Sequence, residues 1–258
     1  MTLTATNNRG WNAYSSVISN TVGGKLTVEN GTLQHLGGTD MAYGIDNLTN
    51  GKGTYAETVI NGGIVKSKYI AIRQFLNGVE AQNILTVNGG TIEGTNKSIW
   101  MQDANKSANP GALTVAGNAA IKGDVYLFVA AGSTEWPVSV SIAAAALQGE
   151  SKVVTGNVPA GYDVAEVNGA YGVYTGVAKI GTQYYETLKA AVAAAQAGET
   201  ITMYADVEAT EVILLDKSIT IDGNGATLLI HGKMTPLLLN NCENITIKNL
   251  TIDYACPT

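Results

Sequence analysis

One octet recurs through the first half of the chain. Leu26-Thr-Val-Glu-Asn-Gly-Thr-Leu33 returns as Thr58-Val-Ile-Asn-Gly-Gly-Ile-Val65 and as Leu85-Thr-Val-Asn-Gly-Gly-Thr-Ile92. A looser copy follows at Leu113-Thr-Val-Ala-Gly-Asn-Ala-Ala120. The equivalent positions are Val28, Ile60, Val87 and Val115. A period of this size belongs to repeat proteins, in which each unit buries its apolar face on the next. Each copy is a short alternating strand, a Gly or Asn turn and a second strand. No long helix fits within a repeat.

A second set of copies lies near the C-terminus, where Ser218-Ile-Thr-Ile-Asp222 returns as Asn244-Ile-Thr-Ile-Lys248. Between them stand Gly223-Asn-Gly225, the strand-like Ala226-Thr-Leu-Leu-Ile230 and Pro236-Leu-Leu-Leu-Asn-Asn241. Three strands per coil suggest a parallel β-helix rather than a leucine-rich repeat, whose leucine pattern does not appear at a fixed period. This shift sets Ile245 on Ile219 and Ile247 on Ile221, and all four are expected to face the core. It also sets Glu243 on Lys217 and Lys248 on Asp222. Opposite charges at the roughly 4.8 Å between stacked strands are complementary.

The composition agrees. Charged residues make up 14% of the chain, against about 25% in a typical soluble protein, and there are 30 glycines. Gly, Asn and Thr suit turns and strands better than helices. A hydrophobic fraction of 45% excludes a disordered chain. The net charge is −6 and no basic stripe exists, so nucleic acid is not an expected partner. No apolar run is long enough to cross a bilayer as a helix, so no membrane insertion is expected. There is no charged and then apolar leader. Both ends read as cut from something longer, so the missing leader does not fix the location.

Between the repeat regions the pattern changes. Tyr162-Asp-Val-Ala-Glu-Val-Asn-Gly-Ala-Tyr-Gly-Val-Tyr174 reads as a hairpin about Asn168-Gly169. Val177–Ile180 and Tyr184-Tyr185 read as two further short strands. A helix then begins, with Thr187 as N-cap and Leu188, Ala191, Val192 and Ala195 as one apolar stripe. Gly198 is expected to stop it. Its small residues suit it to cover the open end of a solenoid. The chain is thus read as all-β: a right-handed parallel β-helix in two segments, joined by a hairpin and one capping helix. The domains expected are residues 1–176, a solenoid segment ending in the hairpin, and residues 177–258, the capping helix and first coils of a second β-helix.

Tyr185-Glu-Thr-Leu-Lys-Ala-Ala-Val-Ala-Ala-Ala-Gln-Ala-Gly-Glu-Thr-Ile-Thr202 resembles the capping helix and first strand of pectin-lyase-like right-handed β-helices. Gly223-Asn-Gly-Ala-Thr-Leu-Leu-Ile-His-Gly-Lys-Met-Thr-Pro236, followed by Asn241-Cys-Glu-Asn-Ile-Thr-Ile-Lys-Asn-Leu-Thr-Ile-Asp-Tyr254, resembles the opening coils of glycoside hydrolase family 110. That family contains exo-acting α-1,3-galactosidases. The resemblance is confined to the C-terminal segment, from the capping helix onward. It implies an extracellular or cell-surface protein with a glycan or polysaccharide partner and no organic cofactor. Residues 1–176 lack those motifs and resemble the Gly-Gly-Thr-Ile solenoid segments of bacterial surface proteins. Three readings follow: the N-terminal portion of a glycoside hydrolase, inactive by itself; a non-catalytic surface solenoid, adhesin or spacer; and a polysaccharide lyase. A monomer is expected in each.

Candidate site residues are few, and no catalytic residue is assigned. Asp253 and Asp222 are the carboxylates nearest the glycosidase-like coils. By the shift that sets Ile245 on Ile219, Thr227 lies one coil before Asp253 and Lys248 one coil after Asp222, so neither has a carboxylate neighbour. Both also read as solvated turn or ladder positions. His231 lies inside the family-like string, but also reads as a structural histidine at a strand end. His35 is the only other histidine. Cys242 and Cys256 read as free thiols, with a single bridge as the alternative; no metal site is expected. Trp11, Trp100 and Trp136 read either as sugar-stacking rings or as half-buried wall residues. The six Asn-x-Ser/Thr sequons at Asn30, Asn47, Asn96, Asn105, Asn244 and Asn249 follow from strand composition.

Overall fold

The computed structural model describes residues 1–5, 15–37, 41–51, 54–77, 81–103, 111–136, 138–231 and 234–255. The described residues are 61% strand and 4% helix, with a β-solenoid of about 8 turns and one short α-helix. It forms two compact units, one of residues 1–159 and 164–173, the other of residues 160–163 and 174–258.

In the first unit the repeats stack in the predicted register. Val28 lies beside Ile60, Ile60 beside Val87 and Val87 beside Val115, all in parallel pairs. A second wall is built by Ser15–Thr21, Ala42–Asn50, Ile70–Asn77, Lys97–Asp103, Val125–Phe128 and Val153–Gly156. Alternate residues of these strands face the interior. One inward column reads Ile18, Ile45, Ile72, Ile99 and Val125. The next reads Asn20, Asn47, Gln74, Met101 and Leu127, so the core changes from polar to apolar along its length.

The polar part is only partly satisfied. Asn20 Nδ2 donates to Thr58 Oγ1 at 3.1 Å, Thr58 Oγ1 donates to Asn47 Oδ1 at 2.7 Å, and Asn83 Nδ2 donates to the Asn47 carbonyl at 3.0 Å. Asn47 Nδ2, Asn83 Oδ1 and both amide atoms of Gln74 have no hydrogen-bond partner and are fully buried. On the outer side of the same wall, Arg73 forms a bidentate pair with Asp46 at 2.8 Å, and the rings of Tyr43 and Phe75 lie against its guanidinium.

The parallel ladder of this unit ends on a reversal. Ser141–Ala143 pair antiparallel with Ala170–Gly172, and the strand Tyr162–Val167 lies beyond. Asn168 and Gly169 turn the hairpin with φ of 53° and 80°, the left-handed pair that a two-residue hairpin of this kind requires.

The second unit is a three-sided coil. Thr200–Met203, Thr220–Asp222 and Thr246–Lys248 form one side. Val207–Ala209, Thr227–His231 and Thr251–Ala255 form the second, and Ile213–Leu215 with Leu237–Leu239 the third. The antiparallel strands Ala178–Ile180 and Gln183–Tyr185 extend the first side. The helix spans Leu188–Ala194, and Thr187 Oγ1 accepts from the Ala190 amide at 3.0 Å. Leu188, Ala191, Val192 and Ala195 are buried in one core with Ile201, Met203, Ile213 and Leu215. The helix ends before Gly198: Ala195 is already extended at ψ 140°, and Gly198, at φ 89°, serves the turn into the next strand.

One burial expectation and two register expectations are corrected, while Ile247 does pair with Ile221. Ile219 and Ile221 are buried and Ile245 packs partly buried against their core, but Ile247, on the outermost described strand of its side, is 39% exposed. Lys217 does not meet Glu243. Its ammonium donates to the carbonyls of Ala193 at 2.8 Å and Ala195 at 2.9 Å, because the open helix C-terminus offers unpaired acceptors and negative dipole charge. The neighbour of Asp253 is Leu229, not Thr227, which pairs with Thr251. Positions 249 and 250 make the later turn where 223–226 make the earlier one. Thr220 therefore advances to Thr246 on one side, while Thr227 advances only to Thr251 on the next.

Candidate functional site

The strongest concentration of solvent-facing polar chemistry in the second unit lies on its three-stranded side. Leu228 and Ile230 point inward and are fully buried, so Thr227, Leu229 and His231 point outward. Glu208 pairs with Leu229 from the preceding coil and Asp253 from the following one. Glu208, Leu229 and Asp253 therefore stand in one outward column. The imidazole of His231 lies 3.7 Å from the carboxylate of Glu208, both groups more than half exposed.

Two inter-strand spacings, about 9.6 Å, separate the backbones that carry Glu208 and Asp253, with Leu229 between them. Glu208 escaped the sequence reading. Its signal was Val207-Glu-Ala209, an alternating triplet one coil before Leu228-Leu-Ile230, masked by assuming one coil length throughout.

Asp222 is removed from this group by its partners. Its Oδ1 accepts from Asn249 Nδ2 at 3.0 Å and from the Asn224 amide at 3.0 Å, and its Oδ2 lies 3.1 Å from Lys248 Nζ. The Asn249 hydrogen bond, then Lys248 and the Asn224 amide, hold its pKa below the usual carboxylate range. A general acid needs the opposite shift, so Asp222 is a turn-fixing carboxylate. Its turn borders an open hollow of about 510 Å³ lined by Asn224, Gly225, Asn249, Leu250 and Thr251. Thr251 also belongs to the outward face that carries Asp253.

The remaining candidates are dispersed. His35 is buried in the first unit; its Nδ1 accepts from the Gly37 amide at 3.1 Å. That acceptor role leaves the proton on Nε2, which donates to Ser15 Oγ at 2.9 Å. The tautomer is therefore the wrong one for activating Ser15 as a nucleophile. Cys242 is a free thiol donating to the Leu215 carbonyl at 3.1 Å. Trp136 is only 9% exposed, while Trp100 is half-buried on the outer wall. Trp11, Cys256 and the Asn105 sequon lie outside the described residues. Among the described residues no group of three or more His, Cys, Asp and Glu could hold a metal ion.

No family model and no solved structure matches the chain. A stretch of 42 residues, 16% of the chain, is 57% identical to the alpha-1,3-galactosidase A of Bacteroides thetaiotaomicron. Another alignment, over 47 residues, is 45% identical to the alpha-1,3-galactosidase B of the same organism. The alpha-1,3-galactosidase A of Bacteroides fragilis is 54% identical over 39 residues. These alignments span 7%, 8% and 6% of the respective relatives. A short part of the chain is thus similar to α-1,3-galactosidases, carried on a parallel β-solenoid.

Proposed function

We propose that the chain is the N-terminal portion of a carbohydrate-active β-helix protein, a glycoside hydrolase acting on α-galactosides. The functional division is a solenoid segment over residues 1–176 and the opening coils of the hydrolase over residues 177–258. The observation that carries this reading is the 57% identity to an α-1,3-galactosidase. The outward strip of Glu208, His231 and Asp253 supports it. In this reading the substrate is a glycan outside the cell or at its surface, the protein acts as a monomer, and no organic cofactor takes part.

The strip provides two carboxylates but no apolar enclosure to set one apart as acid and the other as base. Both stand open to water. Catalysis then needs groups from further coils, and the chain alone should release no galactose. The test is galactose release from an α-1,3-linked galactose disaccharide by residues 1–258 and by the gene product extended through its following coils. Activity in the extended protein alone is expected. Inactivity of both would favour the second reading, a non-catalytic surface solenoid. One observation supports that alternative for the first unit: its coils repeat at near-constant length along one wall with a filled interior, as a spacer requires.

A further inference from the structure

The outer wall of the first unit carries a group of aromatic rings that neither reading uses. Lys97–Asp103 and Val125–Phe128 pair so that Trp100 stands beside Tyr126 and Gln102 beside Phe128. The alternating residues Ile99, Met101, Val125 and Leu127 fill the core, so these four side chains face outward. The rings of Tyr126 and Phe128 lie 5.9 Å apart with planes within 14° of each other. Phe128 lies over Gly156 of the next coil, where a Cβ would run into the ring. The two rings therefore run nearly parallel on the outer wall, with Phe128 packed against Gly156.

Lys97 joins this platform to a polar hollow. Its ammonium lies 4.4 Å from the Tyr126 ring centroid and 5.4 Å from that of Trp100, and donates to Asn96 Oδ1 at 2.6 Å. Asn96 in turn lines a hollow of about 350 Å³ together with Thr95, Lys122, Asp124, Glu150 and Ser151. The site thus offers partly exposed aromatic rings on one side and hydrogen-bonding groups of both signs on the other. A pyranose ring has the matching halves: a face of C–H bonds carrying partial positive charge, and a rim of hydroxyls that both donate and accept. Aromatic faces are negative and attract such C–H groups. Lys97 and Lys122 are balanced by Asp124 and Glu150, which argues for an uncharged ligand and against a polyphosphate.

We propose that Trp100, Tyr126 and Phe128, with the hollow beside Lys97, form a binding site for a neutral pyranose polysaccharide. The site lies wholly in the first unit and does not depend on hydrolysis by the second. The test is affinity electrophoresis of the whole chain in gels containing galactan, galactomannan or xyloglucan. Retardation by at least one of them is expected. Trp100→Ala and Tyr126→Ala should each weaken it about tenfold, the loss of one stacked ring. Tyr254→Ala, an exposed ring of the second unit, should leave it unchanged. Absence of retardation in all three gels, or equal retardation of the native chain and both ring variants, would overturn the proposal. So would a comparable loss in Tyr254→Ala. If an alanine variant loses its β-sheet circular dichroism, Trp100→Phe decides instead. Polysaccharide should shift the tryptophan emission of the native chain but not of Trp100→Phe, and a shift that persists refutes the site.

Discussion

Replacing Gln74 by Met should stabilise the protein. Gln74 is fully buried, and neither its amide nitrogen nor its amide oxygen has a hydrogen-bond partner. Each buried polar atom left unpaired costs about 1–3 kcal/mol. In the next coil the same column holds Met101, which is also buried. Met is unbranched like Gln and of similar volume, so the change creates neither a cavity nor a clash. Relief of two unpaired atoms at the low end of that range gives about 2 kcal/mol. For a unit of this size each kcal/mol moves the thermal midpoint by about 2–4 °C, so a rise of about 4–8 °C is expected. Scanning calorimetry, or circular dichroism at the β-sheet band, would read it. A midpoint equal to or below that of the native chain would show that the Gln74 amide is satisfied, and the reasoning would fail.

Three further outcomes follow from the same structure. Ile221→Ala, at a fully buried position of the second unit's core, should destabilise that unit by about 2–5 kcal/mol in urea; an unchanged midpoint would refute the inward register. Lys217→Met keeps the apolar stem but removes the donor from the carbonyls of Ala193 and Ala195, and should cost about 1–2 kcal/mol, read as lost helix signal before the main transition. Burial holds the His35 pKa below its ordinary value of 6.5. The unfolded chain then binds a proton that the folded chain refuses, so stability should fall as pH drops below about 6.5 and continue to fall until the folded His35 protonates. His35→Gln should flatten the urea midpoint between about pH 7.5 and 5.5; an equally steep decline would assign the effect elsewhere.

Stacking could be read wherever the segments compared lie on one side of the coil. Val28, Ile60, Val87 and Val115 could be aligned because each follows the same strand and precedes the same Gly-bearing turn. The pairing of Asp222 with Lys248 was legible for the same reason, since the segments compared lie on one side of the coil. The error at Asp253 came from a turn. A shift measured on one side of a three-sided coil holds for the next side only if the corner between them is of constant length, and positions 223–226 against 249–250 show that it is not. Lys217 was misjudged because the helix terminus that attracts it comes from a preceding coil, and no charge on that helix marks it as a partner. The two acids of the candidate strip could not be found as neighbours, because Leu229 stands between them. Charge and aromatic content can be counted from a sequence; which ring packs against which glycine, as Phe128 does against Gly156, depends on the register of the adjoining coil.

The reversal at the end of the first unit bears on whether such a protein can polymerise. A parallel stack with an open edge is a template: a second chain can add its coil in the same direction, and a third can follow without limit. Here the last parallel strand of that wall, Val138–Ala143, is occupied by a strand running the other way, with Tyr162–Val167 beyond it. An incoming coil would meet a hairpin whose tight turn does not match the corners of the stack. The hairpin at Asn168-Gly169 thus acts as a chain terminator for fibre growth on this wall, built from the same hydrogen bonds that would otherwise propagate it.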